Sequence, residues 1–212
     1  MQLYGRRSSI NVQKVLWCLG ELWLEQGVDY QCIDAGLQFG VVDTPAYRAL
    51  NPNGLVPTLV DGEQVIWESN TILRYLATKC GADHLLPLNA AGRSEVERWM
   101  DWQLGSLWAT LRVAFLGLTR TPEPQRDYGA IHTSFAESAR LLRIADEQLQ
   151  TREYLALDRF SLADLVVALA THRWYGLSDR FHALLPAQPE MPSLARWLDA
   201  QRARTGFTIA LG

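Results

Sequence analysis

Asn51–Asn70 reads NPNGLVPTLVDGEQVIWESN, and the fold follows from how this stretch divides. Pro57-Thr58-Leu59-Val60 and Gln64-Val65-Ile66-Trp67 are short runs of β-favouring residues that flank Asp61-Gly62, a dipeptide that reverses a chain tightly. The two runs are expected to pair antiparallel. Ile72, Leu73 and Leu76 then recur at helical spacing, with Glu68-Ser69-Asn70 at the amino end of that helix.

Upstream, Leu3-Tyr4 opens as a strand and Gly5-Arg6-Arg7-Ser8 is turn-prone. A helix is expected from about Asn11, its apolar stripe carried by Val12, Val15, Leu16, Leu19, Leu22 and Trp23 and its end at Gly27. Tyr30 to Ile33 reads as a second strand, and strand, helix and strand at this spacing make a βαβ unit with a parallel pair. Asp34 to Leu50, with Gly36, Gly40 and Pro45, reads as an irregular surface segment. Residues 1–81 therefore form an α/β domain, a small mixed sheet of four strands with helices packed on it.

Downstream the pattern changes. Gly81 to Asn89 reads as a linker, and helical runs at about 91–118, 125–150, 161–175 and 191–203 are separated by Thr121-Pro122-Glu123-Pro124, by Thr151-Arg152-Glu153 and by the segment from Pro186 to Pro192. An all-α bundle is expected over residues 90–212.

Composition narrows the function. The 212 residues are 48% hydrophobic with eight tryptophans, enough for a packed core. A net charge of -3 supplies no positive field for nucleic acid or an anionic membrane. Apolar runs such as LADLVVALA, Leu162–Ala170, fall short of the roughly 18 residues of a membrane span, and MQLYGRRSSI carries no apolar signal segment, so the expected location is the cytoplasm. Cys18, Cys32 and Cys80 read as buried thiols, and with His84, His132, His172 and His182 they show no ligand spacing, so no metal is expected.

The element order, with four local strings, resembles the cytosolic glutathione transferase family, in particular its bacterial, Ser-type, theta- and delta-like members: a thioredoxin-like domain followed by an all-α domain. YGRRSSINVQKVLW, Tyr4–Trp17, looks like the family's first loop and helix, in which a serine lies six residues before a helical valine; here these are Ser9 and Val15. The resemblance makes Ser9 the hydroxyl that stabilises the thiolate of glutathione, with Asn11 supporting it or capping the helix and Ser8 and Tyr4 as rival donors. Read from the residues alone, Ser9 or Asn11 serves equally well as an N-cap.

NPNGLVPTL resembles the signature loop in which Val56-Pro57 is a cis bond and the Val56 main chain pairs with the cysteinyl part of glutathione like an added strand. Asn53 sits where relatives place polar contacts to the glycine carboxylate. Leu55 stands at a position often polar or basic in them, which leaves Arg6 or Arg7 to compensate. Trp67-Glu68-Ser69 looks like the glutamyl site, with Ser69 and the free N–H groups of the following helix for the carboxylate and Glu68 for the ammonium. The plainer alternative is a capped helix whose dipole Glu68 complements. RFSLADLVVALA resembles the family's buried capping box, Ser161 with Asp164, a folding element.

For the second substrate the resemblance points to Trp108, Arg112 and Phe115, at i, i+4 and i+7 on the first long helix of the second domain, and for the dimer to Asp101, which would reach glutathione in the other subunit. The implied protein is a homodimeric detoxification enzyme that conjugates glutathione to small hydrophobic electrophiles. A glutathione-dependent isomerase or other glutathione enzyme on the same fold, and a non-enzymatic ligand-binding or interaction protein of that fold, stand as alternatives.

Overall fold

A computed structural model describes residues 1–212, which fall into two compact units: residues 1–88 with 202–212, and residues 89–201.

The first unit is built on a four-stranded sheet of order β2-β1-β3-β4. Its strands are β1 (Gln2–Gly5), β2 (Gln31–Asp34), β3 (Thr58–Asp61) and β4 (Gln64–Trp67). β1 runs parallel to β2 with Leu3 opposite Cys32, and antiparallel to β3 with Leu3 opposite Leu59. The hairpin register pairs Asp61 with Gln64, so the two turn residues are Gly62 and Glu63, and Asp61 belongs to the strand. Gly62 takes φ +59 at the first turn position, where glycine alone bears no penalty.

Helix α1 (Ile10–Glu21) buries Val12, Val15, Leu16 and Leu19, as the spacing predicts. It stops at Glu21, six residues before Gly27, and the chain turns through Trp23 at φ +58, which leaves that indole 85% exposed. Leu22 and Trp23 therefore lie beyond the helical stripe. The segment expected to be irregular contains α2 (Pro45–Leu50), capped by the Thr44 side chain, which accepts from Tyr47 N at 3.2 Å. α3 (Ser69–Lys79) follows β4 directly and packs on α1.

A terminal helix, α9 (Thr205–Leu211), completes this unit by packing on α1, a correction to the expectation that residues 202–212 belong with the helical domain. The cause is a set of contacts between distant residues. Arg204 donates to both carboxylate oxygens of Glu21, at 2.9 and 2.6 Å, Trp17 Nε1 donates to the same group at 2.8 Å, and Phe207 meets Trp17 edge to face at 5.0 Å. Gly206 allows the approach, since a Cβ there would fall 2.4 Å from Trp17 Cδ1.

The second unit holds α4 (Ala90–Trp102), α5 (Ala109–Thr119), α6 (Tyr128–Gln148), α7 (Leu162–Phe181) and most of α8 (Pro192–Arg202). The run read as one helix is α4 and α5 joined by a π-helical stretch, Gln103–Trp108. α7 is the buried spine: from Leu162 to Ala170 every residue is buried. Of the three cysteines only Cys18 is buried; Cys32 and Cys80 are exposed, because they lie on the outer strand β2 and just past the end of α3. No helix is long and apolar enough to cross a membrane.

Candidate active site

The sheet register gathers three of the four strings. Tyr4 lies opposite Thr58 and Thr58 opposite Trp67, so the end of β1, the start of β3 and the end of β4 form one row across the sheet. Ser9 lies just past the end of β1, Val56-Pro57 just before β3, and Glu68-Ser69 just after β4. All three strings therefore emerge from one end of the sheet, although up to sixty residues of sequence separate them.

Ser9 is the N-cap residue of α1, in extended conformation, 9% exposed, and its side chain makes no capping hydrogen bond. The backbone does the local work: Ser9 N donates to Arg6 O at 3.0 Å, and Ser9 O accepts from Gln13 N at 2.9 Å. A serine N-cap ordinarily spends its hydroxyl on the helix; here that group stays available at the positive end of the α1 dipole. Asn11, in the first turn, buries an Oδ1 that has no hydrogen-bond partner. Of the rival donors, Ser8 is exposed, and Tyr4 donates back along its strand to Gln2 Oε1 at 3.3 Å.

The Val56-Pro57 bond is cis. Three residues that the sequence reading passed over hold this loop. Tyr47 Oη donates to Leu55 O at 2.7 Å and lies 2.8 Å from Thr58 Oγ1, while Asn51 Nδ2 donates to Leu55 O at 2.9 Å and to Thr58 Oγ1 at 3.0 Å. Burial pushes the Tyr47 phenol upward, which keeps it a donor. Asn53 is bound into the same corner, with its N and Nδ2 each 3.1 Å from Asn51 Oδ1. The Val56 amide and carbonyl make no main-chain hydrogen bond, which leaves an edge that an extended peptide can extend. The two arginines separate: Arg7 donates to Ile209 O of α9, whereas Arg6 lies where a Cβ on Gly36 would come within 2.6 Å of its Nη1 and 3.5 Å of Val56 Cγ1.

At the third string Glu68 is the N-cap of α3, exposed and at φ +69, and Ser69 is the first helical residue, buried. The capping position thus belongs to Glu68 and not to Ser69. Like any helix, α3 leaves its first N–H groups without intrahelical partners.

In the second unit Asp101 is exposed on α4. Trp108 and Phe115 do share a face, with ring centroids 5.6 Å apart, but Arg112 is exposed to solvent, and the guanidinium over the Phe115 ring, at 5.2 Å, is that of Arg173 on α7. Arg173 comes from a distant helix, so no local spacing signals it. At the start of α7, Asp164 accepts from Ser161 N and Oγ, both at 3.1 Å, from Leu155 N at 2.9 Å and from Trp197 Nε1 at 3.1 Å. Burial raises its carboxyl to about 6, so at neutral pH it is an acceptor for all four donors.

Comparison with known proteins identifies the family. Residues 1–78 match the family model of the glutathione S-transferase N-terminal domain, and residues 108–204 match that of the C-terminal domain. The chain is 38% identical over 197 residues to glutathione S-transferase GstB of Escherichia coli K12, covering 92% of this chain and 89% of that protein. It is 32% identical to glutathione S-transferase F10 of Arabidopsis thaliana, over 87% of this chain and 86% of that one. Among solved structures, the theta class glutathione S-transferase of Xanthomonas axonopodis pv. citri with glutathione bound superimposes with a TM-score of 0.89 at 40% identity, covering 99% of this chain and 96% of that one. A shared sheet end, a cis-proline loop and identity at this level over nearly the whole length lead to one conclusion: this chain belongs to the glutathione S-transferase family.

Proposed function

We propose that this chain binds glutathione at the sheet end carrying Ser9, Val56 and Ser69 and conjugates it to small hydrophobic electrophiles. The observation that carries the reading is the row Tyr4, Thr58 and Trp67, which brings those three strings to one place.

A free thiol titrates near ~8.5, so most glutathione at neutral pH is protonated and unreactive. The Ser9 hydroxyl, not engaged in capping, donates to the sulfur and favours the anion. The amino end of α1 adds roughly 0.3–1 kcal/mol, against the 1.4 kcal/mol that one pKa unit requires. The thiol proton leaves to solvent; the thiolate lone pair then forms a carbon–sulfur bond to the electrophile, whose leaving group departs with its bonding electrons. Asn11 Oδ1 is an acceptor for a ligand N–H. The Val56 main chain and Pro57 turn meet the cysteinyl unit, Ser69 and the first N–H groups of α3 meet the glutamyl carboxylate, and Glu68 meets its ammonium. Asn53 and Arg6 serve the glycine carboxylate, since Leu55 offers no polar group.

Trp108 and Phe115, with Arg173 over the latter, are the apolar surface offered to the second substrate, and the exposed Arg112 has a smaller part than its spacing suggests. Asp101 is assigned to glutathione held by a partner subunit, so that a homodimer completes the site, and the cytoplasm is the working location. Calorimetric titration with glutathione and an electrophile panel test the reading. Binding with turnover supports it. Tight binding of an apolar ligand with no turnover of any electrophile would move the chain to the non-catalytic binder.

A further inference from the structure

Lys14 takes no part in the chemistry above, yet it is the most conspicuous polar group of the first unit. It lies on α1 at 0% exposure, and an ammonium in that position is among the costliest groups a fold retains unless its charge is used. Only two of the chain's twenty lysine and arginine residues are lysines, Lys14 and Lys79. An arginine stays charged at any pH a protein survives, whereas a lysine releases its proton when desolvated. The chain thus keeps a titratable cation at its most enclosed basic position.

The surroundings say what that cation faces. Lys14 Nζ donates to Asn70 Oδ1 at 3.3 Å, a buried bond from α1 to the second residue of α3. Ser69 and Asn70 are both buried there, and Glu68, just outside the helix, attracts the ammonium. From α9, also packed on α1, the charge of Arg204 is met by Glu21. Cys18, one turn further along α1, is a thiol that burial keeps protonated. Desolvation brings Lys14 itself down to about 7.

On the reading of the α3 amino end as the glutamyl site, we propose that Lys14 is a positioning residue for that end of the tripeptide. It holds the first turn of α3 through Asn70 and takes up a proton from solvent when a carboxylate docks on that turn. The docked anion stabilises the ammonium, so by linkage the ammonium stabilises the docked anion, and affinity falls as pH rises past the midpoint of the empty protein.

Labelling the lysines with ¹³C at Cε gives a spectrum of only two side-chain signals, assigned with Lys14→Met or, if that variant does not fold, by elimination with Lys79→Arg. The probe is S-methylglutathione, whose blocked sulfur keeps the thiol out of the proton count. Saturation should raise the Lys14 midpoint by about one unit or more and leave Lys79 unmoved, which corresponds to an affinity loss of roughly ten-fold between neutral and alkaline pH. In Lys14→Met and Lys14→Arg the part of that pH dependence centred on the Lys14 midpoint should vanish, with affinity kept in Lys14→Arg, leaving only the loss set by the ligand's own ammonium at higher pH. Binding with no movement of Lys14 overturns the inference alone. A chain that does not bind S-methylglutathione at any pH overturns the proposed function, and this inference with it.

Discussion

Two helices of this protein have a serine at the N-cap position, and the two serines do opposite things. At the start of α7, Ser161 is fully buried and gives both N–H and hydroxyl to Asp164, which also ties down Leu155 N and Trp197 Nε1. At the start of α1, Ser9 occupies the same capping position and withholds its side chain from the helix. A hydroxyl consumed by its own fold is structural. One held at a helix amino end with no internal partner is available to a ligand. Stability and activity should therefore respond separately at the two positions.

The largest effect is expected from Asp164→Ala, which leaves several buried donors without an acceptor and should lower unfolding free energy by about 3 kcal/mol in a denaturant titration. That exceeds the ~0.5–2 kcal/mol attributable to a capping box alone, because two of the four donors lie outside the box. Retention of wild-type stability would remove the distinction between the two serines. Ser9→Ala should be its mirror image. Conjugation should fall on the order of 100-fold, comparable to removing one donor from a stabilised anion, and the ultraviolet absorbance of bound thiolate should disappear near neutral pH. Its unfolding midpoint should move by less than about 0.5 kcal/mol, since no capping bond is lost. A stable variant with unchanged thiolate absorbance would transfer the role to another donor, Ser8 first.

Gly206→Ala sharpens the comparison from a third direction, since its Cβ would fall 2.4 Å from Trp17 Cδ1 and force α9 away from α1. Overpacking of this kind costs about 1–3 kcal/mol, and limited proteolysis should release the carboxyl terminus first. The smallest effect is a pH slope. Asp164 titrates at about 6 in the folded chain, above the ~3.9 of an unfolded aspartate. Between those values the folded chain binds the extra proton, so this group's contribution is complete below about pH 4 and is lost as pH rises through 6. The stability difference between wild type and Asp164→Ala should accordingly shrink from pH 4 to 6 and level off above, and a flat difference would place the Asp164 titration elsewhere.

What could be read without coordinates was local. The β3–β4 hairpin, the apolar stripe of α1 and the Ser161–Asp164 box each depend on residues a few positions apart, so spacing and turn chemistry carry them. Where the local rules went astray, a neighbour distant in sequence decided. Gly27 is a plausible helix end, yet α1 stops at Glu21, and the helix is clasped there by Arg204 from the far end of the chain. Arg112 has the spacing of a pocket residue, yet Arg173 covers Phe115. Tyr47 and Asn51 converge on Leu55 O and on Thr58 Oγ1 through a fold-back that no periodicity announces.

The sequence by itself determined the order of the four strands with α1 and α3 and, through the family resemblance of its motifs, the cis-proline loop and Ser9, Val56 and Ser69 as candidates, because turn preference, periodicity and motif are properties of adjacent residues. Only the tertiary structure decided that these candidates leave one end of the sheet together, that α9 belongs with α1, and that Lys14 is sealed behind the first turn of α3. Strand register and burial are set by which distant segments exclude water from each other, and a linear string carries that information only once it has folded.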